Sequence, residues 1–171
     1  MENIRVAIFE DNKHLRESLY YLINGTPGFS CTGAYPDCND AVFQITKDTP
    51  DVILMDIEMP GLNGIQGVKL IKSKFPQVHV LMQTIFHDEN NIFDAICAGA
   101  SGYILKSTTP AEYITAIKDV YNGGSPMTGS IARRYWNYFK KIFRLKQKKI
   151  ISLLLKKKKC YNLWYREKVL K

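Results

Sequence analysis

Nothing in the sequence approaches the ~18 consecutive apolar residues that cross a bilayer. The strongest candidate, Ile150 to Leu155, is interrupted by Ser152. The N-terminal MENIRVAIFED has no basic region ahead of its apolar run and no cleavage-like site, so no secretory leader is expected and the chain is expected in the cytoplasm. Cysteine is sparse. Cys31, Cys38, Cys97 and Cys160 form no CxxC pair and have no neighbouring histidine pair, so no zinc site is expected and they read as free thiols. His14, His79 and His87 are likewise scattered and read as surface residues. No internal repeat of 20–50 residues is visible. GLNGIQG (61–67) spaces its glycines by three but lacks the following Lys-Ser/Thr of a phosphate loop, and reads as a turn into a helix.

Acid is almost missing from one end of the chain. Residues 123–171 carry 15 Lys+Arg and a single acid, Glu167, whereas residues 1–122 carry 9 Lys+Arg and 15 Asp+Glu. The overall charge of +8 on 171 residues therefore hides an acidic body of net −6 and a basic tail of net +14. The change falls at YNGGSPMTGS (121–130), a cluster of turn-forming residues. Three segments are expected: a domain over 1–124, a basic linker over 125–160, and a distinct piece over 161–171.

The acidic body alternates apolar runs with amphipathic stretches. Strands are predicted at 4–9, 28–35, 51–56, 79–84 and 101–106. Helices are predicted within 11–25, over 37–48 from an Asp cap, across 67–75 as part of a helix that stops before Pro76, over 88–100, and over 109–124 with Pro110 at its start. Five strand–helix pairs imply right-handed crossovers and a parallel sheet covered on both faces.

Each predicted strand but the second ends in a polar side chain. The first runs into Glu10 and Asp11, the third into Asp56, the fourth into Thr84 and the fifth into Lys106. In a parallel sheet these ends share one edge, where ligands bind at the point of strand-order reversal. Three carboxylates gathered there repel one another unless a hard divalent cation with oxygen ligands joins them, and Mg²⁺ is the common small one. Lys106 adds a fixed positive charge and Thr84 a hydroxyl. Such a pocket suits an incoming phosphoryl group, which a carboxylate can take as an acyl phosphate. Pro60, Gly61 and Gly64 turn the chain after Asp56 so that its carboxylate can stand clear of the strand.

The motifs FEDN (9–12), LMDIEMPGLNG (54–64), QTIF (83–86) and GYILK (102–106) resemble those of the receiver domain of bacterial two-component response regulators. The resemblance covers about seventy per cent of the chain and implies a flavodoxin-like (βα)5 doubly wound sheet of order 2-1-3-4-5, followed by the basic extension. It implies that Asp56 is the phosphoacceptor. It implies that Asp11, Asp56, Glu10 (directly or through water) and the Glu58 backbone carbonyl hold Mg²⁺. Thr84 and Lys106 would contact the phosphoryl oxygens, and Tyr103 would be the switch aromatic that moves when Thr84 is drawn to the phosphoryl group. The implied partner is a sensor histidine kinase, with a homodimer as a further expectation.

The tail interleaves its cations with Tyr135, Trp136, Tyr138, Phe139 and Phe143, a composition suited to nucleic acid or to an anionic membrane surface. GGSPMTGSIAR (123–133) and YNLWYREKVL (161–170) resemble the linker and the opening of the DNA-binding domain in the LuxR/NarL-type subfamily, with Trp164 and Tyr165 in place of the usual Thr-Pro cap. Eleven residues cannot hold two helices, so 161–171 is expected to be the truncated start of a helix-turn-helix. DNA binding is expected only where that domain is complete; the alternative is a stand-alone receiver with a non-specific basic tail. A hydrolase using an aspartyl phosphate would need a second catalytic acid and a cap. Glu58 is the only nearby acid, and no insertion is long enough for a cap.

Overall fold

The computed structural model describes residues 3–85, 89–141, 143–144 and 147, leaving aside the side chains of Glu89 and Asn90. Five strands and five helices alternate: β1 (Ile4–Phe9), α1 (Lys13–Asn24), β2 (Phe29–Tyr35), α2 (Ala41–Asp48), β3 (Val52–Asp56), α3 (Gly64–Lys74), β4 (His79–Thr84), α4 (Glu89–Cys97), β5 (Gly102–Leu105) and α5 (Pro110–Tyr121). All strand pairs are parallel, in the order β2-β1-β3-β4-β5. The chain first winds outward from β1 to β2, then crosses back to β3. The reversal therefore lies between β1 and β3, whose ends carry Glu10, Asp11 and Asp56.

Strand periodicity divides the core. Val6 and Ile8, Val52 and Leu54, and Leu81 pack with Leu19 and Ile23 of α1 and with Ile117 and Val120 of α5. The intervening Phe9, Ile53, Met55 and Met82 are also fully buried, as is Ile71 of α3. A strand buried on both faces must be apolar at every position, which is why β3 reads Val-Ile-Leu-Met before its aspartate.

Local signals set the helix starts. Asn63 and Gln66 form a capping box at α3, and Thr109 and Glu112 form another at α5 with Pro110 in the first turn. Helix α3 runs from Gly64 to Lys74 and stops before Pro76, as expected. One expected bound shifts. Helix α2 begins at Ala41 rather than 37, because Asp37 accepts the Asn39 N–H in a local turn (3.0 Å) and Asp40 makes no side-chain capping bond.

The chain divides into two compact units, Met1–Ala132 and Arg133–Lys171. In the first, the segment after α5 lies along β5. The Tyr103 N–H donates to the Pro126 carbonyl (2.9 Å), Met127 bridges Tyr103, and Ile131 is buried. This shields part of the outer edge of β5. In the second unit, Trp136 stacks on Phe139 and Phe139 on Phe143, with Lys140 Nζ 5.1 Å from the Trp136 ring centre. Residues 161–171, expected as the helix-turn-helix fragment, and Lys148, Lys149 and Lys156–Lys159 lie outside the described residues. Among the described residues no helix is long and apolar enough to cross a membrane.

Candidate functional site

Asp56 is the last residue of β3, and Gln83 pairs with it across β4. Thr84 ends β4, and its carbonyl accepts the N–H of Lys106, just past β5 (2.8 Å). Glu10 and Asp11 follow β1. The register alone thus brings the five polar strand ends to one sheet edge.

The side chains converge there. Lys106 Nζ lies 2.7 Å from Glu10 Oε1 and 2.8 Å from Asp56 Oδ2, with its ammonium largely buried. Asp56 Oδ1 accepts the Ile57 N–H at 2.7 Å. Glu10 and Asp56 are both buried, at 0% and 2% exposure, whereas Asp11 faces solvent. One oxygen from each of the three carboxylates falls within 4.8 Å of the others. Opposite ligands of an octahedral Mg²⁺ stand about 4 Å apart, since each Mg–O distance is ~2.0–2.1 Å. The donors are all hard oxygens, and three carboxylates against one ammonium leave an excess of negative charge. The residues fit a small divalent cation.

Asp11, Asn12, Leu15, Asp56, Glu58, Thr84, Ile85 and Lys106 line an open cleft of about 320 Å³ above this cluster. Glu58 contributes from an exposed position. Tyr103 does not line the cleft; it is fully buried on β5, opposite Met82 and two residues before the level of Thr84. His14 is exposed on α1 and is not part of the lining, while His87 lies outside the described residues. A larger cavity, about 530 Å³, opens at the opposite sheet edge between Arg5, Thr49, Asp51, His79 and Tyr121. There the one nearby carboxylate, Asp51, is already engaged by Arg5, so the larger cavity lacks the converging acids of the smaller one.

Burial sets the electrostatics. Desolvation raises the Glu10 and Asp56 carboxyls above their ordinary range, and the hydrogen bonds from Lys106 only partly offset it. Burial acts downward on Lys106, but its bonds to Asp56 and Glu10 prevail and raise its pKa. The ammonium is therefore held charged between two carboxylates that burial makes reluctant to ionise.

Several participants were not singled out from the sequence. Asn12 caps α1 by accepting the N–H groups of His14 and Leu15, and its own N–H donates to Glu10 Oε1 (3.2 Å). Arg16 donates to the carbonyls of Glu10 (2.5 Å) and Asp11 (3.1 Å), clamping the β1–α1 turn. Gln83 Nε2 donates to Glu10 Oε2 (2.9 Å), and the Tyr113 hydroxyl on α5 donates to Gln83 Oε1 (3.2 Å). The available signal was a primary amide directly after the apolar run Val80–Met82, where a buried amide demands a partner.

The family model for the response regulator receiver domain matches residues 6–118. The chain belongs to the response regulator receiver family. This receiver is 38% identical over 122 residues to the transcriptional regulatory protein YxjL of Bacillus subtilis, a match covering 71% of this chain and 56% of that protein. It is 34% identical over 164 residues to the transcriptional regulatory protein LnrK of the same organism, covering 96% of this chain and 73% of that one. Among solved structures, a LuxR-family two-component response regulator from Aurantimonas superposes with a TM-score of 0.75 at 29% identity, over 80% of this chain and 98% of that one. The response regulator domain of Thermotoga maritima CheB gives 0.65 at 32% identity, over 71% and 98%. The sheet order expected for the receiver fold is the one observed, and its relatives are regulators rather than conventional enzymes.

Proposed function

We propose that this receiver takes a phosphoryl group on Asp56 from the phosphohistidine of a sensor kinase and passes the event on as a change of shape. The observation that carries the reading is Asp56 itself: a buried carboxylate at the floor of an open cleft, tied to Lys106 at 2.8 Å and gathered with the oxygens of Glu10 and Asp11. In the transfer, an Asp56 oxygen forms a bond to phosphorus as the phosphorus–nitrogen bond breaks. The electron pair leaves on the imidazole nitrogen of the donor. Asp11, Glu10, Asp56 and the Glu58 backbone carbonyl would hold Mg²⁺, which supplies charge neutralisation for phosphoryl oxygens. Lys106 and the Thr84 hydroxyl serve the remaining oxygens. The receiver assists its own phosphorylation and dephosphorylation in this way, without turning over an external substrate.

Thr84 and Tyr103 are the proposed switch. Drawing the Thr84 hydroxyl towards the phosphoryl group alters the packing beside Tyr103 on the neighbouring strand, and with it the α4–β5–α5 face. The output supported by the relatives is transcription, exerted through DNA where a complete C-terminal domain follows, with a homodimer as the active form. The proposed compartment is the cytoplasm.

Incubation with acetyl phosphate and Mg²⁺ tests the reading. Intact mass should show one added phosphoryl group on the native chain, and none on Asp56→Asn or without Mg²⁺. Equal labelling of Asp56→Asn contradicts it.

A further inference from the structure

Resting on the reading of this cleft as a metal-assisted phosphoacceptor site, we propose that Gln83 and Tyr113 are positioning residues that fix the Glu10 carboxylate and tie it to helix α5.

Glu10 has no access to solvent, so its oxygens depend on protein donors. Oε1 receives Lys106 Nζ (2.7 Å) and the Asn12 N–H (3.2 Å). Oε2 receives Gln83 Nε2 (2.9 Å). Gln83 is itself fully buried, on a strand whose preceding residues Val80, Leu81 and Met82 are apolar and buried. An amide there carries a desolvation cost unless both of its ends are bonded. The Glu10 end selects the orientation, because the Tyr113 hydroxyl can donate or accept. Glu10 Oε2 faces the amide nitrogen at 2.9 Å and takes it as its donor, while Oε1 is already served by Lys106 and Asn12. That turns Gln83 Oε1 towards Tyr113, whose hydroxyl donates at 3.2 Å. Burial, with the charges of Glu10 and Asp56 nearby, raises the Tyr113 phenol and keeps that proton in place.

The chain of bonds runs from Asp56 through Lys106, Glu10 and Gln83 to Tyr113. It joins β3, the turn just past β5, the β1–α1 turn, β4 and α5 without passing through Thr84 or Tyr103. With Oε2 held by Gln83, Glu10 directs Oε1 to Lys106, and Lys106 is kept between Glu10 and Asp56. Outer partners of this kind typically change metal affinity by about 10–100-fold when removed.

The test uses the full chain and its Gln83→Leu, Tyr113→Phe and doubly substituted forms, with Mg²⁺ alone titrated by calorimetry. Gln83→Leu should weaken Mg²⁺ binding about tenfold and Tyr113→Phe by a smaller factor in the same direction. The double form should match Gln83→Leu, because the hydroxyl acts only through the amide. A second readout needs no metal: in the native chain the Gln83 side-chain amide protons should exchange slowly with solvent, and Tyr113→Phe, which removes one oxygen and no carbon, should speed that exchange. Unchanged Mg²⁺ affinity in both single forms, or losses that multiply in the double form, overturns the proposal. If the native chain neither binds Mg²⁺ nor gains a phosphoryl group, the underlying reading of the site fails instead.

Discussion

Lys106 bridges Glu10 and Asp56, its ammonium 2.7 Å from one carboxylate and 2.8 Å from the other. One cation thus serves two buried anions. Truncating it should cost more than an ordinary surface pair, because both carboxylates stay behind. Lys106→Met is expected to destabilise the metal-free receiver by about 3 kcal/mol in urea unfolding. Adding Asp56→Asn should recover part of the loss, since it removes one orphaned charge.

Asp56 alone is expected to respond in the opposite sense. Desolvation raises its pKa despite Lys106, so its ionised form weakens the metal-free fold. A carboxyl whose folded pKa lies above its unfolded value binds more protons when folded, so its share of stability falls as pH rises from the unfolded to the folded pKa. Asp56→Asn should therefore raise Tm at pH 7 without Mg²⁺, by roughly 2–5 °C for about 1 kcal/mol. The gain should fade as pH drops below the ordinary carboxylate range. A calorimetric pH series checks both sign and window. Added Mg²⁺ should reverse the order by stabilising the native chain only.

Asp51 titrates the other way. Although burial acts to raise it, three bonds from Arg5, including one from the backbone N–H, prevail and lower its pKa. A lowered folded pKa means stability present above the unfolded value and lost as pH falls through the folded one. The pair is partly exposed, so Asp51→Asn should cost about 1 kcal/mol at most at pH 7 and nothing in strong acid. Its phosphorylation should match that of the native chain, since Asp51 sits at the opposite sheet edge.

Gly64 is fixed by close approach. A Cβ there would stand 1.8 Å from the Asp56 carbonyl oxygen and 2.8 Å from its carbon. Gly64→Ala must shift the Asp56–Ile57 peptide, and with it the bond from the Ile57 N–H to Asp56 Oδ1. The expected result is a loss of about 2 kcal/mol or more and weaker Mg²⁺ binding, read by urea unfolding and calorimetry.

This glycine shows where the sequence was legible and where it was not. Turn-formers after Asp56 were readable, and Gly61 does take a positive φ of 80°. That Gly64 packs on the Asp56 carbonyl needed the fold. The polar strand ends could be read because a parallel sheet gathers them whatever the loops do. Gln83 and Tyr113 could not. Gln83 sat beside Thr84 without a partner nearby in sequence, and Tyr113 fell in step with the apolar positions Ile117 and Val120 of α5. Their contact spans 30 residues and depends on how α5 lies on the sheet. Helix α2 starts later than the spacing predicts because Asp37 can cap a helix or close a local turn on Asn39, and the sequence offers both.

The basic tail yields a further expectation. With 15 cations against one acid over residues 123–171, the chain should either leave duplex DNA unbound or bind specific and random sequence equally, with an affinity that falls steeply with salt. A gel shift with specific and random duplexes distinguishes this from a site-specific reader, which would retain a clear preference at physiological salt.

Phosphorylation at Asp56 is tested by identifying the modified residue. The native chain is incubated with Mg²⁺ and acetyl phosphate, reduced with borohydride, which converts an aspartyl phosphate to homoserine, and digested for peptide mass analysis. Homoserine is expected at position 56 and nowhere else. Homoserine at position 11, or unmodified Asp56 in a chain that has bound Mg²⁺, would contradict it.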